Sequence, residues 1–176
     1  MKEPIKNRQT KKYSKGTIVT HWLTALLILI LYPMGKYMEE LKVSEKMGLI
    51  KIHALVGILV LILTIMRTIY YFKHERPAEI ETGSKINNKL VIWVHNAFYD
   101  LLLGIAITGI ATMVIGGYAE AIKTEDINQI RAASQIPALK AHGIMATIMM
   151  LLLIMHIIGF IKHLLLKKEN TLKRII

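Results

Sequence analysis

The chain has 176 residues, of which 53% are hydrophobic, yet its formal net charge is +11. Its Lys and Arg residues fall in short stretches between long apolar runs, a distribution that suits a bilayer and its edges and argues against nucleic-acid binding. It contains no cysteine, which excludes disulfides, thiolate-bound zinc, cysteine-ligated iron–sulfur clusters and covalent haem attachment through C-x-x-C-H.

Four apolar runs follow in chain order. The first, about residues 16–35, holds one histidine, His21. The second, 52–72, begins at His53 and is interrupted only by Arg67. The third, 90–117, contains His95 and Asp100, and the fourth, 141–162, contains His142 and His156. Each has about 20 residues or more, enough at ~1.5 Å per residue to cross ~30 Å of hydrocarbon. The third is longer than a span needs, so it is expected to tilt or continue into a loop. The predicted fold is therefore all-α, an integral membrane four-helix bundle formed by one domain over residues 1–176. The basic arm before the first run is expected to stay attached, because the run is too long for a signal peptide and no small-x-small site follows it. Residues 120–139 leave room for a short surface helix before Pro137.

Positive charge sets the expected orientation. Fifteen Lys and Arg lie on one side: six in the N-terminal arm, the four of the middle loop (Lys73, Arg76, Lys85, Lys89) and five from Lys162 onward. Seven lie on the other: Lys36, Lys42, Lys46, Lys51, Lys123, Arg131 and Lys140. The excess predicts both termini in the cytoplasm. Trp22, Tyr70, Tyr71 and Trp93 then fall at the inner boundary, and Tyr32, Tyr37 and Tyr118 at the outer one.

Helix direction assigns each histidine a depth. His21 and His95 enter their spans from the inner side, whereas His53 and His142 enter theirs from the outer side. His156 follows His142 by fourteen residues, about 21 Å of axis and within about 40° of four full turns. Both therefore leave one helix on nearly one face. The second span repeats that offset with His53 and Arg67. An outer layer of His53 and His142 and an inner layer of His21, His156 and His95 result.

Haem b needs this arrangement: two imidazoles on opposite sides of an apolar slot, and a cation such as Arg67 for its propionates. Small residues adjoin each candidate ligand. Ala25, Gly57 and Ala146 stand at i+4 and Gly159 at i+3, where they leave room for a porphyrin edge or for close helix packing. A lone intramembrane histidine commonly only hydrogen-bonds to a neighbouring helix, but two opposed pairs favour ligation. His95 is expected to hydrogen-bond or to contact a propionate, since its layer has two better-placed imidazoles. His163 reads as an interface residue, His74 as solvated and the ten methionines as mostly core. Asp100 is costly inside a span, so it serves a proton, a quinone or a helix-packing hydrogen bond. Lys51 and Lys140 each stand two residues before an outer histidine, as span-edge residues, as partners of an outer propionate or as a lure for an anion. No catalytic residue is assigned.

Together these residues resemble the prokaryotic cytochrome b561 family, related to the cytochrome b subunits of nickel hydrogenases and formate dehydrogenases. Thr20-His21-Trp22, His53-x-x-x-Gly57 with Arg67, His95, the His142–His156 spacing and the tail Glu169-Asn170-Thr171-Leu172-Lys173-Arg174 carry the resemblance. It implies two haems b, the inner held by His21 and His156 and the outer by His53 and His142, with quinone as a redox partner. Short members resemble superoxide oxidases, which pass an electron from outside superoxide to membrane quinone. Two other readings remain: a membrane-anchor cytochrome b serving a hydrogenase or dehydrogenase subunit, and a histidine-lined metal transporter without haem.

Overall fold

A computed structural model describes residues 12–74, 85–167 and 171–176. Lys2, Lys6, Arg8, Lys11, Arg76 and the Glu169-Asn170 pair lie outside them, as does the side chain of His163. Among the described residues there are helices and no strand. They are α1 (Lys15–Glu40), α2 (Val43–Lys73), α3 (Lys85–Ile115), the short α4 (Tyr118–Thr124) and α5 (Pro137–Lys167), with 3₁₀ turns at Ile127–Gln129, Ala133–Gln135 and Thr171–Arg174. α1, α2, α3 and α5 are each long and apolar enough to cross a membrane.

The helices overrun the apolar runs at their ends, except that α3 stops at Ile115, two residues short of the expected 117. Backbone in hydrocarbon must bond within its own segment, so a helix persists until headgroup-level polar groups can stop it. Ser14 Oγ accepts from Thr17 N at 3.2 Å to start α1, and Glu45 Oε2 accepts from Lys42 N at 3.2 Å to start α2. Pro137 opens α5, where its missing N–H costs nothing.

Chain direction gives the bundle two ends. α1 and α3 begin, and α2 and α5 finish, at the terminal end; the loop end carries the α1–α2 turn and the α3–α5 connection. α1 packs along α2 and α3 along α5, while α2 against α3 joins the two pairs. A central cluster of Val60, Leu102 and Met149, flanked by Ile28, Phe98 and Ile105, fills the bundle at mid-height. Large apolar side chains stay on the outside, Leu55 at 70% and Val114 at 68% exposed, as lipid rather than water is their solvent. Several threonine hydroxyls donate to the preceding turn, as with Thr64 Oγ1 to the Val60 carbonyl and Thr112 Oγ1 to that of Thr108, both 2.8 Å.

The α3–α5 connection folds over the loop end. Gly117 has φ 78° and a side chain there would strike the Gln129 carbonyl, so the tight turn into α4 requires glycine. Arg131 N donates to the Gly116 carbonyl at 3.0 Å. Tyr118, expected among the interfacial aromatics, is instead 6% exposed in a small core with Ala121 and Ile136, and burial pushes its phenol up. The turn at Gly116–Gly117 directs it inward. At the terminal end the C-terminal 3₁₀ turn is tied back: Tyr13 N donates to the Arg174 carbonyl at 2.9 Å and Trp22 Nε1 to that of Ile175 at 2.8 Å.

Candidate cofactor sites

At the loop end, α2 and α5 bring His53 and His142 face to face. Their ring centroids are 6.1 Å apart and their planes differ by 68°. His142 Nδ1 lies 2.9 Å from the Ile105 carbonyl oxygen of α3. A carbonyl only accepts, so Nδ1 carries the proton and Nε2 keeps its lone pair. Such an outer hydrogen bond holds a metal-ligating imidazole in one tautomer and orientation. Gly109 makes the seat: a Cβ there would lie 3.1 Å from His142 Cε1. His53 Nδ1 is buried and has no hydrogen-bond partner in the structure.

At the terminal end, all four spans converge on one cavity. His21 and Thr24 of α1, Arg67 of α2, His95 and Tyr99 of α3 and His156 of α5 line it, with Ala25, Phe98 and Met149 among the apolar walls. The His95 and His156 rings are 5.4 Å apart at 86°, and Phe98 packs on His156 at 5.5 Å. His95 Nδ1 is 2.7 Å from the Val91 carbonyl, so this ring too has its tautomer fixed with Nε2 open. The Arg67 guanidinium stacks over Tyr99 at 5.3 Å, a cation–π contact. Three buried polar atoms facing this region lack partners: His21 Nδ1, Thr24 Oγ1 and Arg67 Nε. Buried polar atoms without partners are costly, and such a cluster points to a missing polar guest.

A family model described as prokaryotic cytochrome b561 matches residues 12–176. The chain belongs to the prokaryotic cytochrome b561 family. No solved structure matches it. As a prokaryotic cytochrome b561 it is a multi-pass membrane protein whose family binds haem b and transfers electrons.

The donor set fits haem b. Two metal–imidazole bonds of about 2 Å and two ring radii of about 1 Å put opposed axial rings about 6 Å apart, and the His53–His142 pair matches that spacing. The terminal-end cavity encloses about 60 Å³, smaller than a porphyrin, so the residues there offer ligands and a cation rather than a finished mould. Among the described residues no three His, Asp or Glu side chains gather to hold a bare metal ion. Paired imidazoles instead suit an iron whose equatorial bonds come from a porphyrin.

Other residues singled out in the sequence fall elsewhere. Gly57 and Gly159 face open space, with no atom within 4 Å of an added Cβ, so neither is spent on close helix packing. Ala25 lines the terminal-end cavity. Lys51 and Lys140 are exposed at the loop end and form no ion pair among the described residues. Asp100 stands apart from the histidines. With Trp93 and Asn96 it lines a separate crevice of about 410 Å³ between α3 and α5, completed by Met145, Ile148 and Leu152. Sequence reasoning missed Thr24, Tyr99, the Ile105 carbonyl and Gly109. Tyr99 alone left a signal, four residues after His95 on the same helix face.

Proposed function

We propose that the protein is a dihaem b-type cytochrome of a bacterial inner membrane that carries electrons between superoxide at the loop end and membrane quinone. The facing of His53 and His142 at 6.1 Å, with the His142 tautomer fixed by Ile105, carries this reading. The second set of imidazoles beside Arg67 at the opposite end supports a second haem. Haem b, when bound, supplies one-electron ferric–ferrous chemistry.

The protein's own residues provide the rest. His53 and His142 would hold the loop-end iron, His21 and His156 would hold the one at the terminal end, and Arg67 would offer a propionate two donors. Val60, Leu102 and Met149 keep water out between the two layers. The Lys/Arg excess at the terminal end supports placing that end in the cytoplasm. Lys51 and Lys140, at the loop end and without an ion pair among the described residues, supply positive charge where an anion would approach the outer site. The crevice lined by Asn96 and Asp100 offers hydrogen bonds within an apolar wall, the chemistry a quinone headgroup needs.

The test is separation of the two sites. His53→Ala and His142→Ala should each remove one and the same component of the reduced-minus-oxidised visible spectrum, and His156→Ala the other. Loss of one common component in all three variants would sink the two-layer assignment.

A further inference from the structure

The terminal-end cavity holds one imidazole more than a haem requires. Resting on the dihaem reading, we infer that His95 is a second axial ligand for the terminal-end iron, able to bind opposite His156 in place of His21.

Geometry carries this. Opposed axial rings stand about 6 Å apart, and the His95–His156 centroids at 5.4 Å come within about 1 Å of that figure. The 86° between their planes is no obstacle, because two imidazoles that serve one iron need not be coplanar. His95 lines the same cavity as His21 and Arg67, so a guest between α1, α3 and α5 meets its ring directly.

The second argument is the fixed tautomer. A ligating imidazole ordinarily donates its remote N–H to a carbonyl or carboxylate. At the loop end His142 does so with Ile105 and faces His53, whose Nδ1 is unpartnered. At the terminal end His95 does so with Val91 at 2.7 Å, while His21 Nδ1 is unpartnered. The histidine prepared for ligation on this side is thus His95. The ring whose Nε2 is left open in this way lines the same cavity as His21 and His156. His95 is also exposed, which leaves its ring room to move the remaining half ångström or so that ligation asks for.

The experiment uses full-length protein purified in detergent, with haem counted by pyridine haemochrome and spin state read by visible and electron paramagnetic resonance spectra. His21→Ala alone and His95→Gln alone should each keep two low-spin haems per chain. Combined, His21→Ala with His95→Gln should lower the count to one, or leave the second haem high-spin, and added free imidazole should restore the low-spin signal. Gln keeps much of the size and polarity of His95 but cannot replace its imidazole, and the loop-end haem in the same sample reports that the variant has folded. Loss of the terminal-end haem in His21→Ala alone would overturn the inference, as would a low-spin second haem in the double variant. Failure of the parent protein to bind two haems would overturn the dihaem reading itself, so the two failures are distinct.

Discussion

Gly109→Ala should weaken the loop-end haem without unfolding the bundle. The added methyl would lie 3.1 Å from His142 Cε1 and 3.3 Å from Nδ1, whereas ordinary contact begins at 3.4 Å. With haem bound the ring would have little freedom to retreat, being held at Nε2 by iron and at Nδ1, 2.9 Å away, by the Ile105 carbonyl, one turn before Gly109 on α3; without haem only the Nδ1 bond holds it. Overpacking of this kind costs about 1–3 kcal/mol. Alanine gains up to ~1 kcal/mol of helix propensity, but that gain is present with and without haem and leaves affinity untouched. The strain falls on the ligand, so the loop-end haem should bind about ten- to a hundredfold more weakly, at ~1.4 kcal/mol per factor of ten. Haem occupancy against a haem scavenger, read through the loop-end spectral component, measures this. Gly48→Ala is the control, as a Cβ there meets nothing within 4 Å. Unchanged occupancy and spectrum in Gly109→Ala would refute the argument that glycine seats His142.

Gly57→Ala should also lower loop-end haem content, while the apoprotein melts no earlier than the parent; since no protein atom lies near the added methyl, the obstruction would be with the porphyrin. Equal occupancy would mean that the porphyrin edge does not reach Gly57. Asp100→Asn should slow quinone-linked haem reoxidation several-fold at constant haem content, and an unchanged rate would remove Asp100 from the quinone path. Lys51→Glu combined with Lys140→Glu should slow superoxide-driven haem reduction and flatten its dependence on ionic strength, because focused charge acts over roughly 8 Å at physiological salt. Equal rates across a salt series would remove the steering role.

The four spans were legible because 20 apolar residues have few other uses, and the two histidine layers because helical rise converts spacing into depth. His53 and His142 meet as that logic requires. Lateral relations were not legible. Whether His95 turns toward His156 depends on how α3 is rotated against α5, and rotation is set by packing partners scattered along both helices. The hydrogen bond from His142 to Ile105 ends on a backbone carbonyl, which every residue possesses, so no side chain announces it. The seat of His142 was hidden for the same reason: Gly57 and Gly159 draw notice by sequence proximity to ligands, while the close approach to His142 is made across helices by Gly109. Tyr118 read as an interfacial aromatic because its burial depends on the fold of the loop-end connection.

The central claim is two haems b on one chain, and a pyridine haemochrome assay on purified protein, set against its polypeptide concentration, tests it most directly. The account predicts two non-covalently bound haems per chain, both extractable into acidified organic solvent because no cysteine can tether them. One haem per chain, or none, would contradict it.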